Sequence, residues 1–273
     1  MKVKKLFTGL LITSLTALLG MQLLVSATGN ETIKTNTVYA ATEPSPKVSA
    51  ETDLNAFYNE KCFKVLEFYF DITQDQLPKD AQFTVFVMTK ESLDKEEASW
   101  LDVCEQLYAQ KQLTKQEYTK QKEELKNRYN DCRNEIIRAN HDIIVCQLGA
   151  DGDLAKSFYE IYFNANTKEI TSVMCPYSEE GWNLHRAVSD GKKPSPASEV
   201  TDQIKTTNGI NFITTHQIAG IKNPEVVKIA GSTHNHIYYQ DASEPNKKVL
   251  LIIDPVTYNI VEFDCGYRAN EFD

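Results

Sequence analysis

The chain has 273 residues, which at about 150 residues per domain makes one or two domains. Hydrophobic residues are 41% and charged residues 25%, ordinary globular values that exclude wholesale disorder, a collagen-like repeat and a polytopic membrane protein. With 29 Lys and Arg against 38 Asp and Glu the net charge is -9, so nothing draws the chain generally to nucleic acid or anionic lipid.

The first residues read as an export signal. Lys2, Lys4 and Lys5 form a positive start, and Leu6 to Val25 is uncharged and rich in Leu. Small residues follow, so cleavage is expected after Ala27 or after Ala40, the second resembling the long signals of Gram-positive bacteria. The alternative is an uncleaved anchor, since about 20 apolar residues span a bilayer as a helix. No Cys follows the apolar run, which argues against a lipoprotein anchor. Either cleavage leaves a charge of -12, because residues 28–40 contain one Lys and one Glu. No membrane span is expected after cleavage, and the expected location is outside the cell, secreted or at the envelope.

Residues 41–50 carry two Pro and no periodicity, and read as a linker. A helix is expected from Asp53 to about Phe70, with Leu54, Phe57, Tyr58, Val65, Leu66 and Tyr69 near one face. Residues 81–89 read as a strand. A helix is expected over 94–112, and another from Thr114 to about Ala139. Thr114 and Glu117 have capping-box spacing, and Tyr118, Leu125, Tyr129, Cys132 and Ile136 form one stripe. The short connection makes the pair an antiparallel hairpin, and the charges from Lys120 to Arg128 are its solvated side.

Residues 159–177 and 249–267 then repeat at an offset of 90 without gaps. Thr167, Ile170, Cys175 and Tyr177 match Thr257, Ile260, Cys265 and Tyr267. Each stretch is an apolar strand, a turn opened by Asn164 or Asp254, and a second strand. A further strand precedes each one, at 141–148 and 234–240, and the loops after them hold Asp151 and Asp241. The expectation is an α+β chain of two related units. Each would be an antiparallel sheet packed with helices, one spanning 51–190 with the helical hairpin 94–139, the other 197–273. The Pro-Ser-Pro at 194–196 marks a linker over 191–196. In the second unit only 198–206 reads clearly as helix, and 210–230 reads as apolar and β-prone with a turn near Asn223-Pro224.

The hairpins, with turns written Asn164-Ala-Asn-Thr-Lys-Glu-Ile and Asp254-Pro-Val-Thr-Tyr-Asn-Ile-Val, resemble the PepSY module of secreted Firmicutes proteins over about 60–70 residues per unit. The resemblance implies a cystatin-like α+β fold, an extracytoplasmic place, inhibitory or binding roles often directed at peptidases, and no catalytic residues. The chain departs from that pattern where Lys168 and Tyr258 stand in place of a turn Gly, and in the long helical hairpin.

Chemistry-bearing motifs are sparse. The six Cys (62, 104, 132, 146, 175 and 265) admit fifteen full pairings. They fall on helix stripes and in strands, where a free Cys acts as a small buried hydrophobe. Cys146 and Cys175 would lie two strands apart, out of disulfide reach. Cys175–Cys265 is the one attractive bridge, if the units pack about a pseudo-twofold axis. His234-Asn-His236 would put two imidazoles on one strand face, a candidate metal pair with Asp241 or His216 as a third ligand. No nucleophile elbow, zincin, phosphate-loop or dinucleotide motif occurs, though Cys175 or Cys265 with His216 could make a thiol hydrolase. Of Tyr238 and Tyr239, one should face outward. The expected function is non-catalytic binding of an extracytoplasmic protein or peptide, with restraint of a peptidase as one form and no cofactor. An exported hydrolase and a small metal-binding module are the alternatives.

Overall fold

The apolar spacing from Leu54 to Tyr69 is realised as α1, Ala50–Phe70, in a computed structural model that describes residues 50–77, 79, 81–149, 158–189, 199–231 and 234–270. The expected signal, most of the expected first linker, the expected linker at 191–196 and Asp151 lie outside the described residues. After α1 the order is β1 (Thr84–Met88), α2 (Lys90–Ala109), α3 (Lys115–Ala139), β2 (Ile143–Leu148), β3 (Tyr159–Asn164) and β4 (Ile170–Met174). Then come α4 (Glu179–Ser189), α5 (Glu199–His216), β5 (Pro224–Ala230), β6 (His236–Asp241), β7 (Lys248–Ile253) and β8 (Ile260–Cys265). Among the described residues no helix is long and apolar enough to cross a membrane.

The chain is α+β, but the expected two sheets are one. Eight strands run in the order β1-β2-β3-β4-β8-β7-β6-β5, all antiparallel. Each half is a four-stranded meander, and the halves join through their last strands. There Val173 faces Phe263, with Ser172 opposite Asp264 and Met174 opposite Glu262. The facing residues Val173 and Phe263 are related by the 90-residue offset, so a pseudo-twofold axis passes between them. A lone four-stranded unit would expose the backbone N–H and C=O groups of β4 or β8, and pairing the two satisfies both edges.

The likeness extends through both hairpins. In β3–β4 the register slips between Tyr162 and Phe163, and in β7–β8 between Ile252 and Ile253, the same bulge at the same offset. Asn164 Oδ1 accepts the N–H groups of Asn166 and Thr167, and Asp254 Oδ1 those of Val256 and Thr257. Lys168 and Tyr258, at equivalent places in the two turns, take left-handed φ values of 62° and 60°. Upstream, α1 and α5 each end at a left-handed residue, Asp71 or Gln217, and a 3-10 turn leads from each to the first strand of its meander. The segment expected to be β-prone from 210 is helical as far as His216. Gly209 allows this: any side chain there would strike the Tyr239 hydroxyl, which donates to Thr206 O at 3.2 Å.

Both sheet faces are covered. On one lie α1, with Tyr58, Cys62, Val65 and Leu66 buried, and α5, through Ile213. On the other, the α2–α3 hairpin packs Leu93, Trp100, Cys104, Leu125, Tyr129 and Cys132 against Met88, Ile143, Val145 and Tyr162. Its helices start at capping boxes, Thr89 with Ser92 and Thr114 with Glu117, and α3 stops at left-handed Asn140. Arg133 of α3 bridges Asp94 and Glu97 of α2. Lys120, Glu123 and Lys126 face solvent, as the charge run requires. Phe57 does not join the α1 stripe and stands 55% exposed. Tyr238 and Tyr239 do point to opposite faces, yet both are buried.

Between the hairpin and the second meander lies a buried ionic strip. Arg268, in a 3-10 turn after β8, bonds Glu135 of α3, sits 3.7 Å over the Tyr162 ring and approaches Asp264 to 3.6 Å. Tyr267 donates to the same Glu135 oxygen at 3.1 Å, and Gln147 to Glu160. Glu160, Glu262 and Asp264 are all buried. Burial pushes all three carboxyls up, and Glu262 and Asp264 also repel each other, while Arg268 acts in the opposite sense. One guanidinium cannot neutralise so many carboxylates in low dielectric, so protonation supplies the rest.

Arg268→Ala is expected to destabilise the fold by about 3–5 kcal/mol in urea titrations, since it strands buried carboxylates without a partner. The raised carboxyls also fix a sign. Their stabilisation is full below the ordinary carboxylate range and declines as pH rises through the raised values. The wild type is therefore expected to gain more stability, or lose less, between pH 8 and pH 5 than Glu262→Gln does, as measured by urea midpoints at the two pH values.

Candidate functional site

The C-terminal ends of α1 and α5 converge above the axis. Ring centroids of Tyr69 and Phe263 lie 5.0 Å apart, of Phe70 and Phe212 5.8 Å, and of Phe212 and His216 4.8 Å. Phe263, one of the two residues at the axis, is thus the floor on which both helices rest. Beside this aromatic cluster opens a cleft of about 730 Å³. One wall is the face of α5 carrying Asn208, Asn211, Phe212, Thr215 and His216, and the α1 end supplies Tyr69, Phe70 and Asp71. The opposite wall is the segment from Cys175 to Ser178 together with the β7–β8 turn.

That wall is held by one carboxylate. Asp254 is buried, and its Oδ1 caps the turn. Its Oδ2 accepts the Ser178 N–H at 2.7 Å, and Ser178 Oγ in turn accepts the Gly181 N–H at 2.9 Å to start α4. Gly181 is needed there, because a Cβ would fall 2.3 Å from the Asp254 carboxylate. Burial alone would raise this carboxyl, but the N–H bonds from Thr257, Val256 and Ser178 outweigh it and hold it low. Asn208 donates to Tyr258 O at 3.0 Å and ties the turn to α5.

The lining combines aromatic rings, three Asn side chains, hydroxyls and two carboxylates, and among the described residues it holds no Lys or Arg. His216 lies among the rings of Phe68, Tyr69 and Phe212, and burial lowers its pKa although Asp71 opposes the shift. Cys175 also lines the cleft, but its thiol is buried and pushed well up by burial, with Glu262 adding to the rise. A thiol nucleophile needs the opposite shift. Cys265 is likewise driven up by burial and by Asp264.

The other residues singled out from the sequence are dispersed. His234 lies before β6 with φ 50°, so the strand alternation that would align it with His236 does not reach it. Its Nδ1 is 3.1 Å from Asp202 of α5. His236 is in β6, where burial lowers its pKa and neighbouring His185 adds to the effect. Asp241, considered as a third ligand, spends its carboxylate on the N–H groups of Lys222, Asn223, Ser243 and Glu244, which hold its pKa at about 2. His216 lies in the cleft. Among the described residues no group of three or more His, Cys, Asp and Glu is placed to hold a metal. The cysteine bridge Cys175–Cys265 is absent, and all six cysteines are free. The axis explains why: Cys175 N–H bonds Val261 O, and Cys265 lies four residues further, about 13 Å along the strand.

The cleft itself was hidden in the sequence by the strand reading of 210–230. As a helix, that segment shows its signal, for Asn208, Asn211, Phe212 and Thr215 recur at spacings of 3, 1 and 3 on one face. Asp254→Ala is expected to cost about 2–4 kcal/mol, since it removes an ionised acceptor from three N–H groups. Asp254→Asn keeps the turn half of those bonds and should cost clearly less, as read from urea midpoints.

Comparison with protein-family models, with curated proteins and with solved structures finds no match for this chain.

Proposed function

We propose that the chain is an exported, non-catalytic binding protein whose cleft receives an extended segment of a protein or peptide partner outside the cell. In this reading two PepSY-like units are fused edge to edge, and restraint of a peptidase is one form the binding could take. The observation that carries the proposal is the cleft between α5 and the Asp254-held wall. It is an open trough with aromatic faces and amide groups at its sides. Asn side chains offer both donors and acceptors to a peptide backbone, and aromatic rings give area at little entropic cost.

The carboxylates Asp71 and Asp254 in the lining, together with the acidic mature chain, favour neutral or basic segments over acidic ones. The hydrolase alternative draws on Cys175 and His216 sharing the cleft. It is disfavoured by a thiol that burial keeps protonated and by an imidazole packed among rings rather than paired with a carboxylate.

The test is selection from a random ten-residue peptide library on the wild type, followed by titration of the selected peptides against Asn211→Trp and Thr215→Arg. Both positions are exposed on α5, so the fold should tolerate the changes. The expected outcome is enrichment of neutral or basic peptides whose Kd rises tenfold or more in either variant. Peptides that bind the variants as well as the wild type would remove the cleft from the proposal.

A further inference from the structure

Six thiols lie in this chain, and two of them meet. Cys62 of α1 and Cys146 of β2 are both fully buried in the core beneath α1. They lie 84 positions apart in the chain, yet pack in one core cluster with their thiols near enough to interact. The other four have different ionisable neighbours: Lys122 and Glu105 near Cys104, Glu135 and Arg128 near Cys132, Glu262 near Cys175 and Asp264 near Cys265. Around the pair stand two further groups. Tyr58 lies beside both thiols, and its buried hydroxyl has no hydrogen-bond partner. Lys61 is close enough to both for its charge to be felt, and it also donates to Lys168 O at 2.6 Å and sits 4.6 Å over the Phe163 ring.

We infer that Cys62 and Cys146 form a conditional disulfide that staples α1 to the sheet. In the reaction one thiolate attacks a sulfur of an external disulfide, giving a mixed disulfide and releasing one thiol. The second thiolate then displaces the remaining half. The two cysteines lose two electrons and two protons, and the external disulfide gains them as two thiols. A disulfide oxidant is the co-reactant, and the export reading supplies the compartment where one would be met. With both sulfurs shielded in the closed fold, exchange occurs before α1 settles on the sheet or while it is lifted. The staple encloses β1 and the whole α2–α3 hairpin, so it constrains a long loop of the unfolded chain. It also fixes the helix whose end forms part of the cleft rim.

The purified full chain is refolded in reduced and oxidised glutathione mixtures, denatured in an alkylating reagent and mapped by peptide mass. The expected result is a fall from six free thiols to four, with one cross-linked species joining the Cys62 and Cys146 peptides. Melting temperature should rise by about 10 °C in the oxidised form. Six free thiols at the most oxidising ratio, or a bond joining any other pair, would overturn the inference. The wild-type map decides this even if Cys146→Ala fails to fold. It does not depend on peptide binding, so failure of the cleft reading leaves it standing.

Discussion

The pairing of β4 with β8 is the constraint from which the rest of this architecture follows. It joins two four-stranded meanders into one sheet and leaves only β1 and β5 as edges. It also sets Phe263 at the centre of the sheet, beneath the converging ends of α1 and α5. A sheet this wide has two large faces, and two helices cover one of them. The other face must be covered by something else, which gives the α2–α3 hairpin its structural purpose. Inserted between β1 and β2, it supplies the apolar layer that a simple tandem repeat would lack.

The hairpin covers the first half of that face. Between it and the second meander, Arg268, Glu135, Glu160, Glu262 and Asp264 are buried together. An arrangement of this kind seldom adds net stability over an apolar equivalent. Its effect is to penalise misplacement, because Arg268 reaches from beyond β8 back to α3 and so requires that hairpin, sheet and C-terminal turn all be in place. The raised carboxyls lose stability as pH climbs, whereas Asp241 and Asp254 are held low by backbone N–H groups and lose theirs only in acid. The histidines that burial holds low, His216 and His236, add to the acid side, so the trends oppose one another across the pH range.

Much of this was legible because it is local or periodic. The α3 cap at Thr114, the α3 stripe and the hairpin turns at Asn164 and Asp254 all follow from side chains acting on neighbouring backbone. The 90-residue offset even located the symmetry axis, since it pairs Val173 with Phe263. What the sequence concealed was long-range. Nothing local says whether two repeated meanders stand apart or share an edge. Nothing local says that α5 continues through the β-branched run at 210–216, which depends on Gly209 seating against Tyr239 from another element. At His234 the limit is local but still beyond periodicity: one left-handed residue ahead of the strand breaks the alternation that the reading of His234 and His236 assumed.

The cleft is a product of broken symmetry. Tyr177 and Tyr267 occupy equivalent places in the repeat, each two residues past a matched cysteine. After Tyr177 the chain is caught by Asp254, and the segment from Cys175 to Ser178 forms the cleft wall opposite α5 before α4 begins. After Tyr267 it turns into the 3-10 segment, and the tyrosine hydroxyl reaches Glu135 on the hairpin. One copy of the repeat therefore contributes to the wall of the cleft, and the other contributes to the buried strip that fastens the hairpin. The capacity to divide those tasks comes from the shared edge: the sheet supplies the rigid floor, and each copy's outgoing segment is free to serve a different end.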